Sequence, residues 1–148
     1  MNLQCPFCNF IKGKEEREVI IKNDYAFAFL TNTSIVTGHT LISPIRHINS
    51  FDNLTEDEIK AVLNLRSIIR KSLIKTFKAQ GFNYAWNENK IAGQNVPHFH
   101  LHILPRKEGD TGILEYEPRQ FLYRPGSRGE TVEEELTLIS KLIKRNLS

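Results

Sequence analysis

Cysteine is scarce in this chain: the 148 residues hold two, Cys5 and Cys8, in a single C-x-x-C. That excludes a disulfide-framed secreted scaffold, and a reducing, cytoplasmic setting is expected. Long apolar runs are missing too. No stretch nears the roughly 18 apolar residues of a membrane span, so no membrane is expected as a partner. The opening MNLQCPFCNF lacks a basic segment followed by an apolar one, so no secretory signal is expected. Neither charge dominates: Lys+Arg 20 against Asp+Glu 17 leaves +3. That small surplus suits an anionic small ligand and is too weak for stable nucleic-acid binding. Internal repeats, low-complexity tracts and Gly/Ser linkers are also missing. What is present, 40% hydrophobic and 25% charged residues, reads as one globular domain over residues 1–148.

Residues 18–30, EVIIKNDYAFAFL, read as a hairpin. Val19 to Lys22 is one strand, Asn23-Asp24 the turn and Tyr25 to Leu30 the second strand. A third strand, HTLIS at 39–43, is entered after Gly38 and stopped by Pro44. FNYAWN at 82–87 is a fourth, and HFHLHIL at 98–104 is a fifth that ends at Pro105. A long helix lies between the third and fourth. Thr55 as N-cap and Glu58 three residues on match a capping box. Ile59, Val62, Leu63, Ile69, Leu73 and Phe77 form its apolar stripe, and Gly81 is expected just beyond its end. A second helix is expected at Thr131, with Glu134 completing another capping box and Leu136, Ile139 and Leu142 or Ile143 as its stripe. Residues 105–130 hold three of the six prolines and four of the eight glycines. They read as a long, partly ordered loop with a functional or covering role. Short strands on both sides of one long helix imply an α+β fold: an antiparallel β-sheet with one long helix and a C-terminal helix.

His98, His100 and His102 alternate with Phe99, Leu101 and Ile103. On a strand, alternate residues share a face, so the imidazoles would line one side and the apolar residues would enter the core. One metal ion held by all three is disfavoured. His98 and His102 would be about 13 Å apart at Cα on a regular strand, whereas Zn–N bonds are ~2.0–2.1 Å. Separate jobs for each ring fit better, and a run of satisfied or solvated histidines is the plain alternative. Just upstream, the glycine turn Ala92-Gly93-Gln94-Asn95-Val96-Pro97 could expose successive backbone N–H groups, an arrangement suited to a phosphate. Cys5 and Cys8 have the spacing of half a tetrahedral zinc site. A redox pair and two plain buried cysteines are the alternatives.

The segment from Gly93 to Arg106, GQNVPHFHLHILPR, resembles the signature of the histidine triad (HIT) superfamily. Gly38 to His47, GHTLISPIRH, resembles that family's second block. Ala28-Phe29-Leu30 and Trp86-Asn87-Glu88 fall where its neighbouring strands would be, so the likeness covers roughly residues 5–106. The resemblance implies a nucleotide hydrolase cleaving a phosphoanhydride, such as a dinucleoside polyphosphate, at the α-phosphate. Its near alternatives are an adenosine phosphoramidase or a nucleotidyltransferase. A non-catalytic nucleotide- or zinc-binding protein is the rival from another class. His100 would attack phosphorus and carry the nucleotidyl group, and neutral imidazole is available for that near pH 7. His102 would donate to phosphate oxygens. Asn87 and Asn95 would contact phosphate, with the Gly93, Gln94, Asn95 and Val96 backbone as a cradle. Phe29 and Thr31 fall on the nucleoside side, and Thr31 stands where the family often has an acidic residue for the ribose. Zinc-bearing relatives imply a structural Zn2+ site of Cys5, Cys8, His47 and His98. A homodimer through the sheet or long helix is expected.

Other residues have plainer readings. His39 reads as a packing or hydrogen-bonding histidine, and Trp86 and Phe99 as core or interface aromatics. Lys60, Arg66, Arg70 and Lys71 read as the wet side of the long helix. Arg106, Lys107, Arg119, Arg124 and Arg128 make the post-triad loop basic. They read as a solvated loop or as partners for distal phosphates.

Overall fold

The structure, a computed structural model, describes residues 4–14, 18–110 and 130–147. Its elements are α1 (Pro6–Ile11), β1 (Ile21–Lys22), β2 (Ala26–Leu30), β3 (Thr40–Pro44), α2 (Glu56–Phe77), β4 (Gly81–Ala85), β5 (Leu101–Arg106) and α3 (Glu133–Arg145). Short 3-10 turns lie at Phe51–Asn53 and Lys90–Ala92. The strands form a five-stranded sheet in the order β1-β2-β3-β5-β4, with every pair antiparallel. This is the α+β class expected from the sequence. Among the described residues no helix is long and apolar enough to cross a membrane.

Strand alternation gives the sheet two unlike faces. Ala28 and Leu30 of β2, Ile42 of β3 and Leu101 and Ile103 of β5 face α2 and α3, where they meet Val62, Leu65, Ile69, Leu73, Leu136 and Ile143. Phe27, Phe29 and Leu41 face the other way and pack with Cys5, Phe7, Cys8 and Phe10 of the α1 turn. His102 lies opposite Leu41 in the β3–β5 register and so shares this second face.

The start of α2 follows from local chemistry. The Glu58 N–H donates to Thr55 Oγ1 at 3.1 Å, and the Thr55 N–H donates to Glu58 Oε1 at 2.9 Å. Arg46 adds bonds to both Glu58 oxygens, at 3.1 and 2.7 Å. Burial alone would raise the Glu58 pKa. The bonds from Arg46 and Thr55 outweigh it and hold the carboxyl below its ordinary 4.5.

Several boundaries differ from those expected. Leu63 is 51% exposed, and Leu65 takes its place in the core at 1%. Gly81 does not cap α2 but opens β4. The left-handed cap is Lys78, with φ 59°. The second capping box does not form: Val132 is the N-cap, with no side-chain bond, and the Thr131 N–H donates to the Asn32 carbonyl at 2.7 Å. Ile143 is buried and Leu142 exposed. Pro105 does not end β5 but sits within it opposite Phe82. The β3 pairing covers only Leu101 to Ile103, so the missing N–H of Pro105 interrupts no ladder on that side. Residues 111–129 of the expected loop, with Arg119, Arg124 and Arg128, lie outside the described residues.

Candidate active site and metal centre

The regular strand expected over 98–104 begins only at Leu101, so His98 and His100 lie on irregular chain leading into it. The alternation survives because the intervening residue is anchored. The Phe99 side chain is buried on the α2 side, and its carbonyl accepts a bond from Ser43 Oγ at 3.0 Å. The flanking imidazoles therefore turn towards α1. The Phe7 ring stands in T-shaped contact with His98 at 5.7 Å and His100 at 5.1 Å between centroids, and the His100 and His102 rings are 5.0 Å apart.

Hydrogen-bond partners settle which nitrogen of each ring carries its proton. A carbonyl can only accept. His100 Nδ1 lies 2.8 Å from the His98 carbonyl, so Nδ1 holds the proton and Nε2 keeps the lone pair. Burial also lowers the His100 pKa, against the opposing pull of that carbonyl bond. His39 sets the state of His102 by a relay. The Ile35 N–H donates to His39 Nδ1 at 3.1 Å, which puts the His39 proton on Nε2. His39 Nε2–H then donates to His102 Nδ1 at 2.8 Å, which leaves the His102 proton on Nε2. A ring nitrogen that keeps its lone pair and an N–H donor thus stand side by side. His39 is the hydrogen-bonding histidine that the sequence suggested, but its partner was not legible. A histidine ahead of a strand carries no sign of a partner 63 positions away.

Beside them, Cys5, Cys8, His47 and His98 gather their donor atoms within 4.8 Å of one another. His98 Nδ1 is 3.4 Å from Cys5 Sγ and 3.6 Å from Cys8 Sγ, and His47 Nδ1 is 3.5 Å from Cys8 Sγ. Bonds of about 2.3 Å to sulfur and ~2.0–2.1 Å to nitrogen at a tetrahedral angle require S···N separations of about 3.6 Å. Three of the donor pairs already stand near that separation and the rest lie within 4.8 Å, so the four could hold a metal ion. His98 Nε2–H donates to the Pro44 carbonyl at 2.7 Å, which turns the Nδ1 lone pair to the thiols. Burial, only partly offset by that bond, lowers the His98 pKa to about 4, so the ring stays neutral. Burial likewise pushes the Cys5 thiol up. The helix that carries the cysteines was not expected. It opens on Pro6, which suits the first helical position, and it is too short to show a period.

The glycine turn is more closed than the sequence suggested. The Gly93 and Gln94 N–H groups donate to the Lys90 and Asn89 carbonyls at 3.0 and 3.1 Å, so a cradle would draw on Asn95 and Val96 instead. Gln94 is buried and acts as a brace: its oxygen accepts from the Asn89 N–H at 2.8 Å, and its amide donates to the Asn49 carbonyl at 3.0 Å. Asn87 Nδ2 donates to the Gly93 carbonyl at 3.3 Å. Asn95 is exposed and Val96 packs against the α1 cluster. Phe29 touches Phe7 at 5.0 Å, which places it under the same ring as His100. Thr31 is buried; its N–H donates to the His39 carbonyl and its hydroxyl accepts from the Thr33 N–H at 3.3 Å. Arg106 is held by both Asp110 oxygens at 2.9 Å and by Asn83, which makes it a strut of the β4–β5 end. Arg66 and Arg70 are not merely wet, since their guanidinium groups lie over Tyr84 and Phe82 at 5.5 and 5.1 Å.

A model of the HIT domain family matches residues 12–109. The chain is 41% identical over 109 residues to an uncharacterized HIT-like protein of Mycoplasma genitalium, covering 74% of this chain and 77% of that one. It is 30% identical over 113 residues to the adenosine 5'-monophosphoramidase of Candida albicans, covering 74% of each. Among solved structures, the diadenosine triphosphate hydrolase of Plasmodium falciparum superposes with a TM-score of 0.66 at 28% identity, over 90% of this chain and 81% of that one.

Proposed function

Since the chain belongs to the HIT domain family, we propose that it is a nucleotide hydrolase acting at the α-phosphate of an adenylyl group, with His100 as nucleophile. The observation that carries this reading is the His98 carbonyl at 2.8 Å from His100 Nδ1, which leaves a lone pair on Nε2. That pair attacks phosphorus. The N–P bond forms as the bond to the leaving group breaks, and the leaving group departs with its electron pair. Water then attacks the nucleotidyl-imidazole, breaks the N–P bond and releases the nucleoside monophosphate. His102, donating from Nε2, stabilises the charge on the phosphoryl oxygens. Asn87 and the Asn95–Val96 backbone line the phosphate side, with Gly93 and Gln94 holding their loop. Phe29 and Thr31, both buried, back the nucleoside side from beneath.

The relatives named above act on an adenosine phosphoramidate and on diadenosine triphosphate, compounds that share the adenylyl group and differ in what leaves. A dinucleoside polyphosphate is the first substrate class for this chain and an adenosine phosphoramidate the second. Zinc is the ion for the Cys5, Cys8, His47 and His98 donors. With all four positions taken by protein the site is closed and structural. A second copy pairs along the outer strand β4, where Tyr84 is 39% exposed and Trp86, just beyond the strand's end, 44%. Light scattering on the purified protein tests that pairing.

The test of the chemistry is trapping. Protein incubated with adenylyl-labelled diadenosine polyphosphate and quenched in alkali retains acid-labile label, and His100→Ala retains none while still binding nucleotide. A wild-type protein that binds nucleotide but neither labels nor turns it over is a binding protein, and the proposal fails.

A further inference from the structure

We infer that Phe7 is a positioning residue for His100, joining the metal-donor turn to the attacking ring through a direct ring contact; the inference rests on His100 being the nucleophile, as proposed above. Phe7 lies between Cys5, the N-cap of α1, and Cys8 within it, and is 7% exposed. Its ring stands nearly perpendicular to His100, at 86° and 5.1 Å, and also meets His98 and Phe29 edge-on. The bond from His100 Nδ1 to the His98 carbonyl fixes one atom of the imidazole. The ring is also tethered covalently at Cγ, but one hydrogen bond still leaves χ1 and χ2 room to drift and carry Nε2 away from phosphorus. Packing on the ring limits that drift: His102 meets it at 5.0 Å, and Phe7 meets it at 5.1 Å from the α1 turn. Position matters at this level, because a misplacement of about 1 Å costs roughly a hundredfold in rate.

The same two residues serve both centres. His98 offers Nδ1 to the metal donor set, at 3.4 and 3.6 Å from the sulfurs, and offers its carbonyl to His100. Phe7 is placed by the cysteines on either side of it and presses on the rings of both histidines. The donor cluster therefore does more than tie α1 to the sheet. It sets the two restraints that aim the nucleophile.

The experiment compares wild type with Phe7→Leu, which fills similar space without a ring edge, both loaded with zinc. Three quantities are measured: bound zinc per chain, kcat and KM on a dinucleoside polyphosphate, and the 1H–15N long-range spectrum of the His100 imidazole. Wild type should show a single Nδ1–H tautomer. In Phe7→Leu, zinc content should be unchanged, kcat should fall about tenfold with KM within about twofold, and the His100 nitrogen shifts should move towards a tautomer average. Unchanged kcat and spectrum would overturn the inference. So would a rise in KM alone, which would make Phe7 a substrate contact. Should Phe7→Leu lose zinc or fail to fold, Phe7→Met gives the same comparison. Should wild type turn over no nucleotide, the functional reading falls, and the His100 spectrum still decides whether Phe7 holds the ring.

Discussion

Replacing His39 by leucine tests the proton relay directly. The relay has two bonds, Ile35 N–H to His39 Nδ1 at 3.1 Å and His39 Nε2–H to His102 Nδ1 at 2.8 Å. Leucine removes both. A neutral hydrogen bond is worth about 0.5–1.5 kcal/mol net, so the ratio of the Nε2–H to the Nδ1–H tautomer of His102 should drop by about two- to thirteenfold. Behind a metal-ligating histidine, loss of the orienting partner costs about 10- to 100-fold, and His39 stands in the same relation to His102. We therefore expect kcat of His39→Leu to fall by about ten- to a hundredfold with KM little changed. Stability should fall by about 1 kcal/mol, the low end for an orphaned N–H, because Ile35 is only half-buried. His39→Gln should recover most of the rate. Its amide can donate to His102 Nδ1 while its oxygen accepts from Ile35. The assay is steady-state hydrolysis of a diadenosine polyphosphate, with imidazole 15N shifts reporting the His102 tautomer. A folded His39→Leu protein with kcat within about twofold of wild type and an unmoved His102 tautomer would refute the relay.

Three other outcomes follow from the same contacts. Stripping metal with a chelator, or Cys8→Ser, should remove about 3 kcal/mol, which is what a ligand at a few hundred times its Kd supplies; calorimetry should then show Tm lower by roughly 6–12 °C, recovered on adding zinc to wild type only. Gly38→Ala should cost about 2–4 kcal/mol in urea unfolding, because φ is +92° and a Cβ would sit 2.9 Å from the Phe77 ring and 3.1 Å from Pro105; a loss under about 0.5 kcal/mol would contradict that packing. Glu58→Gln should lose about 1 kcal/mol at neutral pH, discounted because Arg46 is half-exposed. Since the folded Glu58 pKa lies below 4.5, the wild-type advantage is full above 4.5 and vanishes as pH falls through the lower folded value; an advantage that persisted or grew below it would reverse the sign.

What could be read from the sequence, and what could not, divides by the range of the interaction. The start of α2 was legible because a capping box is chemistry between Thr55 and Glu58, three residues apart. Its end was not. Lys78 takes a left-handed conformation at φ 59°, and Gly81, the expected cap, is drawn into β4 by pairing with Arg106. Tertiary pairing here overrides the glycine preference. Leu63 and Leu65 are both apolar at near-helical spacing, and only the position of the sheet and α3 chooses between them. The histidine alternation was legible although the regular strand behind it was not, because burying Phe99 on one side forces its neighbours to the other whether or not the ladder has begun. The metal donors were legible by residue type and by resemblance together, for thiols and imidazoles are few and their uses narrow.

Direction was not legible. Which nitrogen of His100 or His102 holds a proton depends on a carbonyl two residues back and on a ring 63 residues away. A list of residue types would describe an active chain and an inert one equally well. The proposed reaction depends on lone pairs facing the right way. That is why the perturbations most informative here leave every triad histidine in place and change only what aims them, His39 behind one ring and Phe7 across the other.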